Sequence, residues 1–136
     1  MSGGKVLSAC IRSDETVDLE PPYADTATSL CLYRQRGEVV ANFALLGGGQ
    51  FTCSAGTGCG LGLRIDEGKA VSVGASVPAD YSHDVVIVND GAGLLARIRR
   101  GEVLRIEATY YQAGSQVSTF AVKGLGDGVG GEAWKP

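Results

Sequence analysis

The sequence predicts an all-β fold: an antiparallel β-sandwich or partly open barrel of about eight or nine strands with one short helix. Three observations point there. Apolar residues recur at every second position in several segments; glycine, 21 of 136 residues, interrupts the chain at short intervals; and a single stretch has helical spacing. A chain of 136 residues fits one domain. With 44% hydrophobic and 20% charged residues it can bury a core.

Residues 27–36 and 38–46 flank Gly37, the natural bend of a first hairpin. A further strand is expected to end at the segment Gly49-Gln50-Phe51-Thr52-Cys53. Leu61, Leu63 and Ile65 then alternate with Gly62, Arg64 and Asp66, and Val71, Val73, Ala75 and Val77 alternate with Ser72, Gly74 and Ser76. The connection Asp66-Glu67-Gly68-Lys69 makes these two a hairpin. Residues 84–89 form a continuous apolar run, expected as a central strand buried on both sides. Residues 91–100 read as the helix, with Asn89 or Asp90 as N-cap, Leu94, Leu95 and Ile98 at helical spacing, and Gly101 as the stop. Leu104, Ile106, Ala108 and Tyr110 line one face of the next strand, which Gln112-Ala113-Gly114 joins to a last strand over residues 115–122. The domain is expected over residues 1–125, followed by a Gly-rich flexible tail, 126–136.

Charge and motifs exclude several functions. Twelve Lys and Arg against 15 Asp and Glu give a net charge of −3, without the cationic surplus that nucleic acid requires, so no nucleic-acid partner is expected. The best apolar stretch, residues 39–46, is interrupted by Asn42 and too short to span a bilayer, so no membrane insertion is expected. Gly126-x-Gly128-x-x-Gly131 matches a dinucleotide fingerprint by letters, but the five residues after it cannot supply the required helix, and no cofactor is expected. Leu7-Ser8-Ala9-Cys10 has the residue order of a lipoprotein cleavage site, yet the six residues before it lack an apolar segment, so the match is read as chance.

Four cysteines stand at positions 10, 31, 53 and 59, too widely spaced for a zinc site. Cys53 and Cys59 bracket a small loop and are expected to form a disulfide that staples two strand ends. Cys10 and Cys31 either pair across the sheets or lie apart as small buried hydrophobes. Persistent disulfides imply an oxidising compartment or a virion surface, which conflicts with the missing leader.

Catalytic readings are weak. Ser82, His83 and Asp84 carry the residue types of a triad, but adjacent residues point apart and cannot share one hydrogen-bond line. Asp14-Glu15 and Asp66-Glu67 lack the alternating donors of a calcium loop. Arg97, Arg99, Arg100 and Arg105 make the one cationic cluster; the negative end of the helix dipole accounts for it, with a partner-binding role for Arg97 and Arg100 as the second reading. Trp134, the single tryptophan, either folds back on the domain or anchors a partner.

Phe51 with Cys53, Cys59, Arg64 with Asp66 and Gly68, residues 78–80, residues 85–98, and Tyr111 to Gly114 together resemble a family of small uncharacterised β-sandwich proteins from proteobacteria and their phages. Pro21, Pro22 and Tyr23 and the strand from Leu30 to Arg34 fit it too, so the resemblance covers residues 5–125. More distantly the chain is similar to accessory proteins associated with type VI secretion. The resemblance implies a sandwich layout. Because many members are exported or membrane-anchored, it also suits a Cys53–Cys59 pair, though it brings no activity.

The resulting expectation is a non-enzymatic protein-binding or accessory module, phage or prophage encoded, whose partner is another protein. The loops expected to meet it are residues 54–58 and 78–83. Ser54, Thr57, Asp80, Tyr81 and His83 are the candidate contacts, with Arg97, Arg100 and Trp134 beside them. The alternatives are a self-assembling virion component and a small hydrolase.

Overall fold

Period-two alternation is converted into eight strands and one helix in a computed structural model, which describes residues 8–125. The elements are β1 (Ser8–Val17), β2 (Thr26–Gln35), β3 (Glu38–Leu45), β4 (Cys59–Ile65), β5 (Val71–Ser76), β6 (Val85–Val88), α1 (Gly91–Arg99), β7 (Val103–Tyr110) and β8 (Gly114–Ala121). The fold is all-β. The strands form one antiparallel sheet in the order β1-β2-β3-β6-β5-β4-β7-β8. That sheet rolls until β1 lies against β8, making a nearly closed barrel. Leu30, Leu32, Phe43, Leu63, Ile106 and Phe120 point inward and form its core.

Side chains, in place of a backbone ladder, join the seam between β1 and β8. The Thr119 N–H donates to Glu15 Oε1 at 2.6 Å, and just past β1 the Asp18 N–H donates to Gln116 Oε1 at 2.8 Å; behind them Thr28 Oγ1 of β2 donates to Ser118 Oγ of β8 at 2.9 Å. A register shift between Arg12 and Thr16 turns Glu15 toward β8, and Ser13 Oγ stabilises the shift by accepting from the Thr28 N–H and donating to the Glu15 carbonyl. Partial desolvation pushes the Glu15 carboxyl up, but the hydrogen bonds from Thr119 outweigh it and hold the group below its ordinary value. Next to the seam, burial pushes the Tyr110 hydroxyl up to about 12. The Ser118 hydroxyl opposes that shift without reaching hydrogen-bond geometry with Tyr110.

Five expectations are narrowed or corrected. The layers are the two sides of one rolled sheet, so the barrel form applies. β6 is shorter than residues 84–89 and covered on one side only: Val86 and Val88 are buried, while Val85 and Ile87 face outward and are half-buried. The segment around Phe51 is a loop with a single bridging pair to Tyr110, because Gly47, Gly48 and Gly49 break any strand before it. Cys10 and Cys31 do pair, but as directly opposed residues of β1 and β2 within one sheet. The helix stops one residue early, with Arg100 as its C-cap.

Antiparallel pairing throughout sends the connections alternately to two ends of the barrel. Residues 18–25, 46–58, 77–84 and 111–113 gather at one, here the loop end; residues 36–37, 66–70 and 89–102 gather at the other, the helix end. Helix α1 closes the helix end by burying Leu94, Leu95 and Ile98. Asp90 caps it, its Oδ1 accepting from the Gly93 N–H at 3.0 Å. A Cβ on Gly91 would collide with the Val39 carbonyl, so glycine is what lets the helix start lie directly on β3. No helix among the described residues is long and apolar enough to cross a membrane.

Candidate functional site

The loop end is built from residues that cannot continue a strand. After the three glycines, Phe51 turns into the barrel mouth and is 6% exposed, its ring centroid 5.4 Å from Phe43 and 5.2 Å from Tyr110. Each backbone group nearby finds a partner on a different element. The Phe51 N–H donates to the His83 carbonyl at 2.8 Å, Thr52 to Thr109 at 2.9 Å, Tyr111 to Gln50 at 3.0 Å, and Leu45 to Asp84 at 2.8 Å.

The Cys53–Cys59 disulfide closes the loop that follows. Inside it, Ser54 and Gly58 exchange backbone hydrogen bonds, and Ser54 Oγ accepts from the Gly56 N–H at 3.3 Å. Gly58 has φ +74, and a Cβ there would collide with the Ala75 carbonyl, so the loop lies against the end of β5. That places Ser54 and Thr57 beside the connection of residues 77–84.

In that connection Asp80 Oδ1 accepts from both the N–H and the hydroxyl of Ser82, at 3.0 and 2.6 Å. These two bonds hold the Asp80 carboxyl below its ordinary value. They also engage the Ser82 hydroxyl with Asp80, so Ser82, His83 and Asp84 form no hydrogen-bonded line. Tyr81 takes a left-handed backbone, φ 60, and stands 67% exposed; His83 is exposed beside it. Among the described residues no group of three or more His, Cys, Asp or Glu is placed to hold a metal.

Four large exposed side chains share this end, each from a different connection: Tyr23, Leu46, Tyr81 and Tyr111. Gln50 ties two of them, its Nε2 donating to Tyr23 Oη at 3.0 Å while its carbonyl accepts from the Tyr111 N–H. Between residues 18–20 and the β7–β8 turn runs an open trough of about 460 Å3, with Asp18 and Glu20 on one wall and Gln112 and Gln116 on the other. The connections of this end carry Asp18, Glu20, Asp25, Asp80 and Asp84 and no Lys or Arg. Those of the helix end carry Arg36, Lys69, Arg97, Arg99 and Arg100 together with Asp66, Glu67, Asp90 and Glu102.

The anticipated residues therefore divide. Ser54, Thr57, Asp80, Tyr81 and His83 come together at the loop end. Arg97 and Arg100 stand at the opposite end, and Trp134 lies outside the described residues. Sequence reading missed Tyr23, Leu46 and Tyr111. The available signal was a large apolar residue next to turn-forming Pro, Gly or Gln-Ala-Gly, where no core position exists to absorb it. No family model, curated protein or solved structure matches the chain.

Proposed function

We propose that the protein is a non-enzymatic binding module that docks another protein on the loop end of its barrel. One observation carries this reading: Tyr23, Leu46, Tyr81 and Tyr111 come from four connections yet are exposed at one end. Exposed aromatic residues on a rigid scaffold supply contact area with little entropy to lose, as protein-docking surfaces require. Ser54, Thr57, Asp80 and His83 form the polar surroundings of that patch. The two disulfides support a protein that is exported or carried on a virion. The resemblance to phage and proteobacterial proteins supports a phage or prophage origin.

Photo-crosslinking tests the docking face. A benzophenone amino acid is introduced in place of Tyr81, of Tyr111, or of Arg36 at the helix end, and adducts formed in the native source are identified by mass. Adducts with one other protein from the Tyr81 and Tyr111 positions, absent from the Arg36 position, are expected. Adducts of the chain with itself would replace this reading by self-assembly, and adducts from Arg36 alone would overturn it. His83→Ala should leave the adduct unchanged.

A further inference from the structure

We propose that a pocket at the helix end binds small amphipathic anions, a carboxylate or phosphate carried on a short apolar stem. The pocket has a volume of about 210 Å3 and combines two chemistries. Leu63, Ile65 and Val71, from β4, β5 and the core they border, make an apolar floor. Lys69 from the β4–β5 turn, Arg97 from the last turn of α1 and Arg100 at its C-cap place three positive charges around it.

Two neighbouring carboxylates have partners outside the pocket. Asp66 Oδ1 accepts from the Glu102 and Val103 N–H groups at 3.0 and 2.9 Å, and Glu67 pairs with Arg64 at 3.4 Å. Among the described residues no ion pair joins Lys69, Arg97 or Arg100 to an acid. The negative end of the helix dipole favours Arg97 and Arg100 on α1 itself. Lys69 arrives from a separate hairpin and adds a third like charge, which an anion in the pocket would relieve. Two carbonyls at the helix end that would oppose an anion are already occupied, Arg97 O accepting from the Arg100 N–H and Ile98 O from the Gly101 N–H. Sites for drug-sized ligands begin at about 300 Å3, so this one suits a head group and a few carbons. It lies opposite the proposed docking face and stands or falls independently of it.

The test is an NMR titration of the intact protein with hexanoate and hexyl phosphate, using acetate, hexanol and hexylammonium as controls. The two amphipathic anions should shift the amides of residues 65–71 and 97–101 and bind at least about tenfold more tightly than any control. Lys69→Gln and Arg100→Gln, both at exposed side chains, should each weaken binding about threefold or more, with spectra otherwise unchanged, and Arg36→Gln should have no effect. Sedimentation with phosphatidylcholine vesicles containing phosphatidic acid would assign the head group to lipid; binding of the free anions alone would assign it to soluble acids. Either result supports the site. Equal binding of hexanol or acetate, shifts confined to other residues, no shift with either anion, or unchanged affinity in both variants would overturn it.

Discussion

The barrel's two mouths are closed by different means. At the helix end, α1 satisfies its backbone largely within itself and inserts Leu94, Leu95 and Ile98 together. At the loop end, residues 46–58 insert one large side chain, Phe51, and their backbone is satisfied piecemeal by His83, Thr109, Ala27 and the Thr26 hydroxyl. A helix is a self-contained plug, whereas this loop is ordered only because strands on several sides hold it. The difference teaches where variation is tolerated: at the loop end the exposed Tyr23, Leu46, Tyr81 and Tyr111 side chains fill no core position and are available for recognition, while most apolar positions of the helix are committed to the core.

Three measurements would break or sharpen the comparison. The largest effect is expected from the two plugs. Phe51→Ala should cost about 4 kcal/mol, because one aromatic ring fills the mouth alone; Ile98→Ala should cost about 3 kcal/mol, because Leu94 and Leu95 remain. Urea unfolding midpoints measure both, and the reverse order would show that the loop end is not held by its single aromatic. Opening the short disulfide by Cys53→Ser with Cys59→Ser should cost about 2 kcal/mol. Amide exchange in residues 51–59 should accelerate with that change while residues 94–98 keep their protection, and uniform acceleration would mean that the two ends do not open separately.

The smallest effect concerns pH. Asp80 is held ionised by Ser82, so its folded value lies below its unfolded one. Its contribution is therefore complete above the unfolded value, and it is lost as pH falls through the folded value. Acid titration should loosen residues 80–82, seen in the Ser82 amide resonance, before any change at α1. Asp80→Asn should remove that transition, and its persistence would assign the transition to another group.

Much of the barrel was legible because its signals are local. The alternation of Leu104, Ile106, Ala108 and Tyr110, the Gly37 turn, and the Asp90-capped helix with Leu94, Leu95 and Ile98 each sit within one or two turns of chain. β1 was not legible. Its alternation of Ala9, Ile11 and Ser13 is interrupted by the register shift at Arg12–Thr16, and three consecutive exposed residues follow Ser13. Half of the candidate site was readable, since residues 54–58 and 78–83 bear turn residues and a short cysteine loop. Tyr23 and Tyr111 were not, because each looks like an ordinary turn neighbour until the folded chain brings them both to Gln50.

The sequence by itself determined the strands with strong alternation, the helix, and the Cys53–Cys59 staple, since each follows from spacing that elementary backbone geometry imposes on a few consecutive residues. Tertiary structure alone decided that the sheet rolls into a barrel, that Cys10 faces Cys31 across β1 and β2, and that the connections without Lys or Arg gather at one end. Those outcomes depend on which strand edges meet. That choice is made by burial and hydrogen bonding among residues far apart in the chain, such as Glu15 with Thr119, and no local period records it.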